Sequence, residues 1–196
     1  MSSISNDGIK QLFSEARTYR DWLPKEVSDQ HLNEIYELMK WGPTSANLCP
    51  GRFVFVKKGP EKEKLIQCLD PTNIDKVKAA PVTVIIAQDL EFYECIDKLY
   101  PQGMGFRDLF ASNKELAEST AFRNSSLQGA YFIMAARTLG FDCGPMSGFD
   151  NKKLDEQFFA GTTWKSNFIC NLGYGNKNSL FPRLPRLSFD EACKIL

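Results

Sequence analysis

Val82-Thr83-Val84-Ile85-Ile86-Ala87 is an unbroken run of apolar and β-branched residues. That is the composition of a strand buried on both faces. Such a strand needs layers over it, and the flanking patterns supply them. Arg52 to Val56 and Ser166 to Tyr174 read as further strands. Lys62 to Leu69 and Leu154 to Phe159 read as short helices. Lys114 to Leu139 carries the longest helical pattern, with Leu116, Phe122, Leu127, Ala130, Tyr131, Met134 and Ala135, and Gly140 supplies its stop.

Upstream, Ile9, Leu12, Phe13 and Ala16 keep the spacing of an amphipathic helix, and so do Leu32, Ile35, Tyr36 and Met39 within Asp29 to Trp41, which ends at Gly42-Pro43. Glu91 to Asn113 dissolves into aromatics and turn residues and reads as a lid or excursion. Phe141 to Phe149 is too rich in turn formers to continue a helix and reads as a structured loop. Phe189 to Leu196 closes the chain with a last helical pattern. Strands separated by helices predict a mixed α/β layout in one domain spanning 1–196, with one sheet and helices packed on it.

Composition narrows the function classes. The chain has 196 residues, 24 Lys+Arg and 24 Asp+Glu, so no basic surplus drives binding to a nucleic-acid backbone or an anionic membrane. Apolar residues make up 43%, enough for a core and too many for a disordered chain. The most continuous apolar stretch, Ala79 to Ala87, is about half of what crosses a bilayer. Met1 to Gly8 has neither the cationic flank nor the apolar centre of a secretory leader, so a cytoplasmic location is expected. Six cysteines without a CxxC pair read as reduced, mostly structural thiols.

His31 is the only histidine. It falls in the first turn of a helix that Ser28 caps and Val27 staples to Leu32, a solvated position rather than a catalytic one. Hydrolase and metal-site readings recede accordingly.

Polar residues on loops remain. Arg17, Thr18 and Arg20 follow the first helix, and Arg183 and Arg186 lie near the far end; if these segments meet, they suit a phosphate dianion. Pro43, Thr44, Ser45 and Asn47 present hydroxyls and an amide between a helix end and a strand. Gly144 to Gly148 lets backbone N–H groups approach a ligand. Neither is a GxGxxG or Walker A loop, so a dinucleotide Rossmann site or P-loop finds no support. Small residues in the long helix (Ser125, Ser126, Gly129, Ala130, Ala135, Ala136) suit either a subunit interface or an ordinary core.

In that order, Arg17-Thr18-Tyr19-Arg20-Asp21-Trp22, Lys40-Trp41-Gly42-Pro43-Thr44-Ser45-Ala46-Asn47, Ala121 to Ser126, Gly144 to Asp150 and Arg183 to Phe189 resemble the FMN-dependent nitroreductase family over nearly the whole chain. Within it they look like the malonic semialdehyde reductase branch. The resemblance implies an α+β three-layer sandwich, with a central, mainly antiparallel sheet flanked by helices in an intertwined homodimer. It also implies FMN, with NADH or NADPH as hydride donor in ping-pong transfer, a small oxo-acid, nitroaromatic or quinone as acceptor, and no metal.

Carried over by position, Arg17, Thr18, Arg20 and Asn73 would hold phosphate, ribityl chain and flavin edge. Arg183 and Arg186 would complete the phosphate site. Pro43, Thr44, Ser45 and Asn47 would come from the other subunit, and Pro145, Met146, Ser147 and Gly148 would line the ring. No protein side chain is expected to be the catalytic group, since the cofactor carries the hydride. Arg107 and Arg123 are the candidates for clamping a substrate carboxylate. The alternatives are a broad nitroreductase or quinone reductase, and a flavin-binding or structural dimer without catalysis.

Overall fold

The computed structural model describes residues 3–196. Its sheet is built from β1 (Gly51–Lys57), β2 (Val82–Asp89), β3 (Asp142–Met146) and β4 (Trp164–Gly173), in the order β1-β2-β4-β3, with every pair antiparallel. β2 is buried along its whole length and its side chains alternate between two cores. Val82, Val84 and Ile86 face one, with Cys143, Cys170 and Leu172. Ile85 and Ala87 face the other, with Val56 and Ile169. The run that opened the sequence reading is therefore the middle of a sandwich.

The first core is covered by α2 (Asp29–Met39) through Leu32, Ile35 and Met39, and by α7 (Lys114–Thr138) through Phe132, Ala135 and Ala136. The second is covered by α3 (Pro60–Ile66), α4 (Pro71–Ala79) and α8 (Asn151–Phe158) through Leu65, Val77 and Leu154. These are the three layers expected of the fold. Before them lie α1 (Asn6–Ile9) and a π-helical turn (Lys10–Ser14), where a single helix over Ile9 to Ala16 is expected.

The excursion is ordered as short helical turns, α5 (Ile96–Leu99) and α6 (Gly105–Ser112), around a third core of Phe92, Ile96, Phe110, Ala117 and Leu48. The chain ends in α9 (Phe189–Ala192), shorter than the pattern to Leu196 suggests, because residues 181–196 are all exposed and little packing extends it.

α4 and β3 also differ from the sequence-based expectation. α4 goes unread, because Pro71-Thr72-Asn73-Ile74-Asp75-Lys76-Val77-Lys78 is short and highly charged, although Pro71 at its first turn is a helix-start signal. β3 sits where a loop is expected. Pro145 is tolerated because β3 is the edge of the sheet, where a missing N–H costs little.

α2 follows its cap: Ser28 Oγ accepts from His31 N–H and His31 Nδ1 accepts from Ser28 N–H, while Val27 and Leu32 are buried together. The His31 ring is half-buried edge-on to Phe141, 5.1 Å between centroids, rather than fully solvated. In α7 Ser125, Gly129, Ala135 and Ala136 face inward, a Cβ on Gly129 meeting the Phe168 ring at 2.5 Å, while Ala130 is exposed. Phe132 is buried in the first core, whereas Phe122, 54% exposed, Leu127 and Tyr131 face out.

Candidate functional site

The two arginine segments meet. Arg17 Nη2 donates to the Phe181 carbonyl, and Arg183 Nη2 donates back to the Ala16 carbonyl at 2.9 Å. The Arg20 guanidinium lies over the Phe181 ring, 4.9 Å from its centroid. Arg186 turns onto its own tail, donating to Leu184 and Pro185 carbonyls. Among the described residues no carboxylate lies within 4.0 Å of Arg17, Arg20, Arg183 or Arg186. Each of these guanidinium groups keeps N–H donors to spare, since a fork offers five. A concentration of like charge without a protein counter-ion is a site for an anion.

The same segment is laid along the sheet edge. Thr18 forms a parallel bridge with Cys143, and Tyr19 N–H donates to the Cys143 carbonyl at 3.1 Å. Gly144 is required there, because a Cβ would stand 2.6 Å from the Tyr19 carbonyl oxygen. Arg17, Thr18 and Arg20 are thereby held beside Pro145, about 7 Å further along β3 at strand spacing. Tyr19 is buried, and burial first, then the Asp142 carboxylate, pushes its phenol up.

β3 leads into Ser147-Gly148, which is seated on α4. The Gly148 carbonyl accepts from Asn73 Nδ2 at 3.0 Å and from Asp70 N–H at 3.1 Å, and Phe149 bridges to Leu69. A Cβ on Gly148 would meet Asn73 Nδ2 at 2.5 Å. Asn73 is thus spent on the loop through its Nδ2, and its Oδ1 accepts from Lys76 Nζ at 2.8 Å. Lys76 is the residue that sequence reading passes over. The i, i+3 spacing of Asn73 and Lys76 would have found it had α4 been recognised. Arg17, Thr18, Arg20, Asn73, Pro145, Met146, Ser147, Gly148 and Arg183 therefore lie on contiguous segments, with Arg186 on the same tail.

Pro43, Thr44, Ser45 and Asn47 are elsewhere in the chain. Ser45 N–H donates to Asn124 Oδ1 at 2.8 Å, in the first half of α7. The arginine segment lies at the other end of α7, where Arg137 donates to the Leu12 carbonyl and Gln11 donates to the Arg137 carbonyl. Thirteen residues of helix separate the two, about 20 Å at 1.5 Å per residue. Within one chain the two halves of the expected site do not come together.

Of the two expected carboxylate clamps, Arg107 has its fork filled: its Nε and Nη2 donate to Glu94 at 2.9 and 2.7 Å, and this hydrogen bond and the Glu94 charge push its pKa up. Arg123 has no carboxylate within 4.0 Å among the described residues, and lines an open groove of about 530 Å³ with Phe122, Leu127 and Ala130. No group of three or more His, Cys, Asp or Glu among the described residues could hold a metal. The six cysteines are free thiols. Cys143 and Cys170 are wholly buried side by side, and burial pushes the Cys170 thiol well up, which suits a structural role. No helix among the described residues is long and apolar enough to cross a membrane.

Comparison with known proteins shows the family. The sequence model of the nitroreductase family matches residues 14–174. A protein of Polynucleobacter asymbioticus assigned as an NADH dehydrogenase/NAD(P)H nitroreductase is 53% identical over 197 residues, covering 100% of both chains. The crystal structure of a nitroreductase in complex with FMN from Exiguobacterium sibiricum superposes with a TM-score of 0.84 at 16% identity, over 100% of both chains. That of an NAD(P)H:FMN oxidoreductase from Staphylococcus epidermidis gives 0.83 at 19% identity, over 100% of this chain and 98% of the other. These two structures share the fold.

Proposed function

The chain belongs to the nitroreductase family, and from that premise we propose that it is an FMN-dependent NAD(P)H oxidoreductase that works as a homodimer. The observation that carries this reading is the cluster of Arg17, Arg20 and Arg183, joined from opposite chain ends and lacking a carboxylate partner within 4.0 Å. Its donor set fits the terminal phosphate of FMN in charge and geometry. Thr18 offers a hydroxyl beside it, and Pro145 to Gly148, with Asn73 and Lys76 behind them, form the neighbouring wall for a flat polar ring.

Two copies are needed because Ser45, held at Asn124, lies about 20 Å along α7 from the arginine segment, too far to reach the same ring in one chain. The surface supports this: Trp41 is 78% exposed, Phe122, Leu127 and Tyr131 form an uncovered apolar face on α7, and the tail exposes Leu184, Leu187 and Phe189. Apolar surface of that extent on a folded chain marks an interface.

Bound FMN supplies hydride acceptance and donation, so that NAD(P)H and the acceptor use one place in turn. The protein's part is to bind, orient and charge-balance. Arg17, Arg183 and Arg186 would neutralise the phosphate, and Arg20 and Lys76 would supply positive charge beside the ring. No histidine or carboxylate nucleophile is required, which agrees with a chain whose one histidine caps a helix.

The physiological acceptor in this reading is malonic semialdehyde, reduced to 3-hydroxypropanoate at the expense of NAD(P)H and a proton, as in pyrimidine degradation, with Arg123 holding the carboxylate. A second reading is a broad nitroreductase or quinone reductase, which the name of the 53% identical relative favours. Purified protein decides. A yellow dimer that releases FMN on denaturation and bleaches under anaerobic NADPH or NADH supports the oxidoreductase. A colourless monomer that takes up no added FMN overturns it, and flavin that does not bleach leaves a binding protein only. A kcat/KM for malonic semialdehyde well above that for a nitroaromatic supports the first acceptor, and the reverse supports the second.

A further inference from the structure

Every non-glycine residue with positive φ among the described residues lies in one short loop: Ala46 at 49°, Asn47 at 54° and Cys49 at 43°. Asparagine tolerates this region. Alanine and cysteine do not, and each such residue costs about 1 kcal/mol or more. Leu48, 1% exposed, anchors the loop in the third core with Ala46 packed against it, while a cavity of about 180 Å³ opens beside Cys49, Gly51 and Leu99. Something must hold it.

Beside that apolar anchor, the restraints come from outside the loop and are polar. Asn124, 1% exposed, accepts from Ser45 N–H at 2.8 Å and donates to Ser45 Oγ at 3.2 Å, while its Nδ2 also donates to the Thr120 carbonyl at 2.8 Å. Gln128, one turn on, accepts from Gly51 N–H at 2.7 Å. Arg52 Nη1 donates to the Cys49 and Gly51 carbonyls, both at 3.0 Å, and its Nη2 donates to Asp89 at 2.6 Å. Asp89 is fixed in turn by the Thr163 hydroxyl and the Glu91 N–H. Within the loop, Thr44 Oγ1 accepts from Cys49 N–H at 3.1 Å, and Asn47 Nδ2 donates to the Leu99 carbonyl at 2.8 Å.

We propose that Asn124 is a positioning residue, which with Arg52 holds the 44–49 loop in a strained conformation so that Thr44, Ser45 and Asn47 meet the cofactor already in place. This deepens the function proposed above and rests on it for the cofactor. The strain itself does not depend on that reading. A loop fixed in advance loses little conformational entropy on binding, and the hydrogen bonds that hold it against its strain secure that.

The test is Asn124→Ala in the full-length protein, alone and with Ala46→Gly, which removes the penalty at φ 49°. Amide exchange over 44–49, measured without FMN, should speed up about tenfold in Asn124→Ala. FMN affinity of the apoprotein should fall about tenfold. Adding Ala46→Gly, on a different element, should recover part of both losses. A role confined to packing α7 would show no such recovery.

Should Asn124→Ala not fold, Thr44→Val serves, because it removes the Cys49 N–H acceptor from a part-buried loop position, and exchange over the loop should rise and be partly restored in the same way. Unchanged exchange over 44–49, or no recovery with Ala46→Gly, overturns the proposal. Wild-type protein that binds no FMN overturns the cofactor reading alone, while the exchange data still decide the loop.

Discussion

Arg17 donates to the backbone carbonyl of Phe181, 164 residues further along the chain. Arg183 returns the contact to Ala16, so that two exposed segments are cross-tied with their positive charge unanswered. Replacing Arg183 by Ala should therefore weaken FMN binding by about 1.5–3 kcal/mol, the worth of a hydrogen bond to a charged group. Fluorescence titration of the apoprotein measures this. The apoprotein's melting temperature should not fall, because one member of a like-charged group is gone. A lowered melting temperature with unaltered FMN affinity would make the tie structural only.

Gly144→Ala tests the sheet-edge contact. Its Cβ would stand 2.6 Å from the Tyr19 carbonyl, a backbone atom that cannot rotate away. The Thr18 bridge to Cys143 should part, at a cost of about 1–3 kcal/mol by overpacking. Thermal melts of this variant and of Gly105→Ala, where no atom lies within 4 Å, separate the clash from a general effect of adding a methyl group.

For the acceptor, Arg123→Ala should raise KM for malonic semialdehyde about tenfold, as expected for loss of a charged hydrogen bond, and leave a neutral nitroaromatic unaffected. Arg107→Ala should change neither, since its fork is already occupied by Glu94. Steady-state kinetics of both variants on both acceptors check this. An equal KM rise on the two acceptors for Arg123→Ala removes the clamp.

Lys62 is 3% exposed, and its Nζ donates to the Ala80 carbonyl. Burial first, then Lys58, pulls its pKa down from 10.5 to about 8. The sign follows from linkage. Between about 8 and 10.5 the unfolded chain binds the proton that the folded chain has released, so stability rises with pH across that window. Below it both states are protonated and the burial cost is fully present. The buried Cys68 and Cys170 thiols act in the opposite sense, so the readout is the wild-type urea midpoint minus that of Lys62→Met, which should rise from pH 7 to 10.5.

Much of the fold is legible locally. Ser28 and Val27 announce α2, Gly140 stops α7, and the β-branched run at Val82 predicts a strand covered on both sides. Each of these signals lies within a few residues, because caps and hydrophobic periodicity are properties of neighbouring positions. Pro145 reads as a turn for the same reason, since proline's tolerance at an edge depends on where the strand sits in the sheet.

The sequence by itself determined most of the elements, α4 and β3 excepted, and the order of its motifs is what nominates the site residues. Only the tertiary structure decided that Arg17 and Arg183 meet, that Lys76 stands behind Gly148 on Asn73, that Arg107 is spent on Glu94, and that Ala46 and Cys49 carry strain. Those facts are set by contacts between segments remote in the chain. Such contacts exist only once burial of the two cores has brought the segments together, so no local pattern of residues encodes them.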